Sequence, residues 1–260
     1  MMSSAEIQYF NLIYKIEKEG IVKKPTKGAC RSVFGHIITL IPTEVPLLKS
    51  RKIYWKGLVG ELKAFLADES TVKGFEKYGC NFWGAWANED GTLSVDYARL
   101  LHNFNKVNQL KSLVEGIKDK PDSRKHIISL WDPSSDSKQV PCVLSYQWYV
   151  VEGVLEMIWT QRSADVLIGL ASDMFSAWLF NQVIALETGL KPGKVVMNLG
   201  DAHIYEIHKE KLRDLKRNYL HFNNYKKKDV DYSLTGSLHN FEFSLSNYFS
   251  EDPIAFELLT

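Results

Sequence analysis

The chain has 260 residues, 32 of them Lys or Arg and 31 Asp or Glu, for a formal net charge of +1. That balance gives no reason to invoke a nucleic-acid polymer or an anionic membrane as main partner, and the length suffices to bury a proper core. Three widely spaced cysteines, Cys30, Cys80 and Cys142, without CxxC or Cys/His spacing, argue against a disulfide framework or a bound metal and for a reducing, cytoplasmic compartment. No apolar run approaches the ~18 residues of a membrane span.

Residues 5–18 place Ile7, Phe10, Leu12, Ile13 and Ile16 at helical spacing, and Gly20 stops the pattern. A Lys- and Gly-rich loop from Val22 leads into a strand over 32–40; lysines and a glycine before a strand suit phosphate as well as solvent. A Pro-bounded loop, 42–46, runs through Lys49, Arg51 and Lys52 into a helix over 53–66. There Glu61 sits among Leu58, Val59, Leu62, Phe65 and Leu66, the position of a solvated edge residue as much as of a functional acid. Trp83 and Trp86 stand three apart, a spacing more common in cores than in ligand platforms, ahead of a polar turn at 88–91. A helix over 105–116 ends in the charged turn KDKPDSRK, followed by a short strand, 127–131, and a polar loop, 134–139.

The stretch 141–173 concentrates the chemistry. Cys142 follows Pro141; an extended aromatic and β-branched run turns at Glu152-Gly153 and extends again to Gln161-Arg162-Ser163; Asp173 closes the stretch in apolar surroundings. A potential nucleophile, a permanently charged anion ligand and an acid thus lie within about one hairpin. A thiol with a pKa of ~8.5 is mostly protonated at neutral pH and needs positive charge nearby to act as thiolate. A helix over 174–188 follows, with Phe175, Trp178, Leu179, Val183 and Leu186 inward and Gly189 closing it. Then come a strand opening at 195–197, GDAHIYEIH, a basic polar tail over 209–229, a strand-like NFEFSLSNYF and EDPIAFELLT. With no repeat, low-complexity segment or linker, residues 1–260 read as one α+β domain.

The motifs PC (141–142), QRSADVLIGL (161–170) and GDAHIYEIH (200–208), with GEL (60–62), WGAW (83–86) and PDSRK (121–125), together resemble the thymidylate synthase family, in order from Val22 to His208 and more loosely beyond. The resemblance implies a large twisted mixed β-sheet flanked by helices and a sheet-on-sheet homodimer with a shared active site. It also implies a pyrimidine nucleoside monophosphate as substrate and 5,10-methylenetetrahydrofolate as co-substrate. Matched to the family's motifs, Cys142 is the nucleophile for ring carbon 6, Glu61 the acid that organises water and moves protons, and Trp83 the aromatic between base and folate. Arg162 and Ser163, after Gln161, match the phosphate ligands, and Arg124 and Lys125 a pair reaching the phosphate from the other subunit. Asp165 matches a contact to pterin and base, Asp201 a folate-ring contact, and His203 and Tyr205 the donors to the ribose 3′-hydroxyl.

Asp173 is the most informative departure. The family's LGxPFNxxSY becomes IGLASDMFSA, so an aspartate stands where an asparagine reads uracil. Cytosine presents an amino donor and an unprotonated ring nitrogen, the reverse of uracil, and a carboxyl group sharing one proton fits it. In this respect the chain is similar to the deoxycytidylate and cytidylate 5-hydroxymethylases, in which water completes the reaction and tetrahydrofolate is released. The competing reading of Asp173 is a cap on a helix starting at Met174. Other departures are Val143 after the nucleophile, Pro25-Thr26-Lys27-Gly28 in place of an arginine loop, with Lys24 or Lys27 as substitutes, Lys125 in place of an arginine, and Tyr97 as the remnant of a longer motif. The alternatives are methyl transfer with release of dihydrofolate, as in a thymidylate synthase or a dCMP methylase, and a non-catalytic nucleotide- or RNA-binding relative. Deoxyribose against ribose stays open.

Overall fold

The computed structural model describes residues 2–135, 139–222 and 230–259. Helix α1 (Ser4–Glu19) begins where the Ser3 hydroxyl accepts the Glu6 N–H, and ends where the Gly20 N–H closes on the Ile16 carbonyl. Its buried stripe, Tyr9, Phe10, Leu12, Ile13 and Ile16, packs against strand β2 (Cys30–Leu40), which follows the short β1 (Ile21–Lys23). Strands β3 (Ile127–Ser129), β4 (Val143–Val151), β5 (Val154–Asp165) and β6 (Lys191–Tyr205) complete a six-stranded sheet in the order β1-β2-β6-β5-β4-β3.

All neighbouring strands are antiparallel except β5 and β6, which run parallel, so the chain between them must cross the sheet. Helix α6 (Gly169–Thr188) makes that crossing. Ala171, Met174, Phe175, Trp178, Val183 and Ile184 bury different sides of it at once. A helix apolar all round is stable only when enclosed, and α6 is enclosed by the sheet, by helix α2 (Trp55–Leu66) and by a hairpin of β7 (Asp231–Thr235) and β8 (Glu242–Ser246). Tyr232 and Phe243 of that hairpin meet the Trp178 ring edge-on at 4.9 and 6.1 Å. The opposite face of the sheet carries exposed Ile37, Ile127, Tyr149 and Ile158.

The α+β architecture and large mixed sheet flanked by helices agree with expectation; several boundaries do not. The helix expected at 174–188 begins five residues earlier, at Gly169, with Leu170 and Ala171 already buried in its first turn. The helix expected at 105–116 is α5 (Gln109–Asp119): Asn105 and Lys106 adopt positive φ and the Asn108 side chain caps the start. Residues read as a basic polar tail form helix α7 (Lys209–Phe222), with Leu212, Leu215 and Phe222 buried beneath a charged surface; 223–229 lie outside the described residues. Helices α3 (Val72–Glu76) and α4 (Tyr97–His102) were too short to give a periodic signal. Among the described residues no helix is long and apolar enough to cross a membrane, and no group of three or more His, Cys, Asp or Glu could hold a metal ion.

Glu6 ties α1 to the segment that leads to the site. Its Oε1 accepts the backbone N–H groups of Lys49 and Ser50 at 3.0 and 2.9 Å, and burial pushes its pKa up. Glu6→Ala would strand both buried N–H groups, each costing roughly 1–3 kcal/mol. Urea unfolding should show a correspondingly lower stability, with the midpoint reduced and the slope unchanged.

Candidate active site

Two acids, Glu61 on α2 and Asp173 on α6, lie near enough for the charge of Asp173 to act on Glu61. Glu61 Oε1 accepts the Trp83 indole N–H at 2.8 Å. Trp83 stands on a 3-10 turn, Trp83–Trp86, held in an aromatic group with Phe65, Phe75, Trp86 and Tyr97. Asp173 lies in the second turn of α6, and its Oδ2 accepts the Gln161 amide N–H at 2.8 Å; Gln161 Oε1 in turn accepts the Trp159 indole N–H at 3.1 Å. Since α6 starts at Gly169, Asp173 does not cap it. Asp165 supports that turn instead, its Oδ1 accepting from the Leu167 and Ile168 N–H groups at 3.0 and 3.1 Å.

Both residues are half-buried, and the protein around their carboxyls desolvates the charged forms. Burial pushes Asp173 to about 6, with the Gln161 hydrogen bond opposing and the Asp165 charge adding to the shift. Burial pushes Glu61 to about 8, with the Trp83 hydrogen bond opposing and the Asp173 charge adding. At neutral pH the pair therefore holds about one proton, mostly on Glu61. Such a split between neighbouring acids equips one to donate and the other to accept.

Cys142 stands exposed at the start of β4, with its N–H donating to the Tyr97 hydroxyl at 3.1 Å. Its carbonyl accepts the Arg162 N–H at 2.8 Å. The Arg162 guanidinium is anchored on the Pro141 and Val140 carbonyls at 2.9 and 3.0 Å and lies over the Trp131 ring. Partial burial still holds the thiol above its usual range, against the pull of Arg162 and Lys27 and with a push from Asp173 and Asp165.

Beside this cluster opens a cleft of about 490 Å³ lined by Lys23, Lys24, Arg162, Ser163, His203 and Tyr205, with Pro25, Cys30 and Asp201. Three cations and two hydroxyls around one hollow suit a phosphate. The parallel β5–β6 register sets Ser163 opposite Asp201 and Asp165 opposite His203. Lys24 lines the cleft and Lys27 does not. Sequence reasoning missed Lys23, which ion-pairs with Asp201 at 2.7 Å; the lysine run was visible, but not which lysine faces inward. Asp201 lies in this basic cleft, apart from the Trp83–Glu61 group. Arg124 and Lys125 are exposed on the turn before β3, at the sheet edge away from β2 and β6, and do not line the cleft of their own chain. Arg51 was also missed. Buried, it donates to Leu167 O at 2.5 Å and lies 5.1 Å from the Phe256 ring, linking the turn before α6 to the C-terminal segment.

A cysteine beside a guanidinium, two acids of split proton affinity and a basic cleft roomy enough for more than a phosphate make up a site suited to covalent catalysis on a nucleotide. The family model described as Thymidylate synthase matches residues 7–260, and the chain belongs to the thymidylate synthase family. It is therefore a one-carbon transferase, acting on a pyrimidine nucleotide with methylenetetrahydrofolate as co-substrate.

Titration of the thiol tests the electrostatics. Alkylation of Cys142 by iodoacetamide, followed by peptide mass spectrometry as pH is raised, should inflect above the usual thiol range. In Arg162→Ala the inflection should move higher still, because the lost cation favoured the thiolate. An unchanged inflection would mean the guanidinium does not act on the sulfur.

Proposed function

We propose that this enzyme is a 5-hydroxymethylase of a cytosine mononucleotide: dCMP or CMP, 5,10-methylenetetrahydrofolate and water give the 5-hydroxymethyl nucleotide and tetrahydrofolate. The observation that carries the reading is Asp173, a carboxyl at the base-reading position, held on one oxygen by Gln161 and with its proton affinity raised to about 6. A carboxyl so placed accepts from the cytosine amine and shares a proton with ring nitrogen 3. A mispaired base edge costs roughly 1–3 kcal/mol per group, about one to two decades in preference.

The other side chains take roles consistent with their positions. Arg162, Ser163, Lys23 and Lys24 hold the phosphate, which engages Arg162 beside the reacting cysteine. His203 and Tyr205 hold the ribose. Cys142 adds through sulfur to ring carbon 6, which makes carbon 5 nucleophilic; its departure at the end restores the ring. Tyr97, bonded to the Cys142 N–H, lies where it orients the nucleophile. Glu61, mostly protonated at neutral pH, carries the proton to be moved near the base. The flat wall of Trp83 and the acceptors of Glu61 and Asp165 suit the pterin of the folate, which supplies the one-carbon unit. Asp201, paired with Lys23, belongs in this reading to the phosphate and sugar end rather than to the folate. The exposed apolar face of Ile37, Ile127, Tyr149 and Ile158 supports a sheet-on-sheet homodimer, in which a second copy brings Arg124 and Lys125 to the phosphate.

A product assay with dCMP, CMP and dUMP in parallel, each with methylenetetrahydrofolate, tests the reading by mass. Gain of CH₂O on a cytidylate is expected, without release of dihydrofolate. Asp173→Asn should shift kcat/KM toward dUMP by roughly 10- to 100-fold. Gain of CH₂ would assign the enzyme to methyl transfer instead, and turnover of dUMP alone would sink the role given to Asp173.

A further inference from the structure

A carboxylic acid is not selective by itself. Its proton can sit on either oxygen, so a free carboxyl can offer ring nitrogen 3 a donor, as cytosine needs, or an acceptor, as uracil needs. Discrimination requires something that fixes the proton. We propose that Trp159 is a positioning residue for base discrimination: by donating its indole N–H to Gln161 it fixes which oxygen of Asp173 must accept. This inference rests on the reading of Asp173 as the group that reads the base.

The geometry runs in one direction along three side chains. An indole N–H only donates, so Gln161 must turn Oε1 toward Trp159, at 3.1 Å, and Nε2 toward Asp173. Nε2 only donates, so Asp173 Oδ2 must accept, at 2.8 Å. Asp173 is mostly ionised while the site is empty; when a base binds, the one proton that the carboxyl shares with ring nitrogen 3 is directed to Oδ1, the oxygen not held by Gln161. Oδ1–H satisfies the bare nitrogen of cytosine and opposes the N–H of uracil. Trp159 and Gln161 are 5% and 3% exposed, so water does not compete for these bonds and the order is held.

A second Trp–amide pair, joining β4 to α6, shows what a purely structural version looks like. Trp148 donates to Asn181 Oδ1 at 3.2 Å, and Asn181 Nδ2 ends on the main-chain carbonyls of Leu155 and Gly193 at 3.1 and 3.2 Å. That chain of bonds stops on groups that carry no exchangeable proton. The Trp159 chain stops on a carboxyl that borders the site.

Trp159→Phe keeps a ring against Tyr146, which Trp159 meets at 4.7 Å, and removes only the donor. Gln161 can then turn its carbonyl to Asp173, the proton moves to Oδ2, and Oδ1 becomes an acceptor. The ratio of kcat/KM for dCMP over dUMP should fall by about 10-fold in Trp159→Phe, and by at least as much in Gln161→Leu. The double variant should lose no more than Gln161→Leu alone, because both act through one carboxyl. A packing role for Trp159 would instead lower kcat/KM for both nucleotides alike and leave the ratio unmoved. If the wild type prefers dCMP and Asp173→Asn reverses that preference, an unchanged ratio in Trp159→Phe overturns the lock while the role of Asp173 stands. If the wild type shows no preference for the cytidylate, the role of Asp173 fails and the lock fails with it. Should Trp159→Phe not fold, Gln161→Leu alone decides: an unchanged ratio there overturns the proposal.

Discussion

Everything at the site hangs from the parallel pairing of β5 with β6. That ladder sets Gln161 against Leu199, Ser163 against Asp201 and Asp165 against His203, so the segment bearing Arg162 is aligned with the one bearing His203 and Tyr205. The approach is close: a Cβ on Gly200 would stand 2.6 Å from the Arg162 carbonyl oxygen, so only glycine fits beneath the arginine. Since parallel strands cannot be joined by a tight turn, the pairing also demands the α6 crossover, and the crossover delivers Asp173 back to Gln161. One hydrogen-bonded ladder thus accounts for the placement of both ends of the site.

The electrostatics follow from enclosure rather than from any single ion pair. α6 is wrapped by sheet, helix and hairpin, and the aromatic group around Trp83 shields α2. Acids at the seam between them lose hydration and keep their protons longer than acids in water. The thiol feels the same desolvation, and Arg162 only partly offsets it while its guanidinium is occupied by carbonyls.

Single strands and the concentration of chemistry around Cys142 and Arg162 were legible because their signals are local, whereas the mixed sheet and the other site residues came only with the family resemblance. A cysteine after proline, an arginine between Gln161 and Ser163 and a strand rich in branched residues announce themselves within a few positions. The start of α6 was not legible, since an apolar run such as LIGLA suits a strand, a turn or a helix equally. Nor was α7, whose charged surface outweighs three buried residues in the composition. Lys23 and Trp159 matter through which way a side chain faces and what it meets there. Both depend on strand pairings between distant segments, which periodicity does not report.

Strand β2 has an unusual timetable. Leu40 of β2 pairs with Val195 of β6, 155 residues later in the chain, while its other neighbour, β1, covers only Cys30, Arg31 and Ser32. During translation at about 5–20 residues per second, most of β2 therefore waits roughly 8–30 s for its partner. For that interval its apolar residues, Ile38 and Leu40 among them, have α1 but no sheet to rest on. Helix α1, pinned by Glu6 to the segment just after β2, can form early and shelter that strand. The clamp that steadies the finished enzyme is thus among the contacts of β2's surroundings that need no residue beyond Ser50.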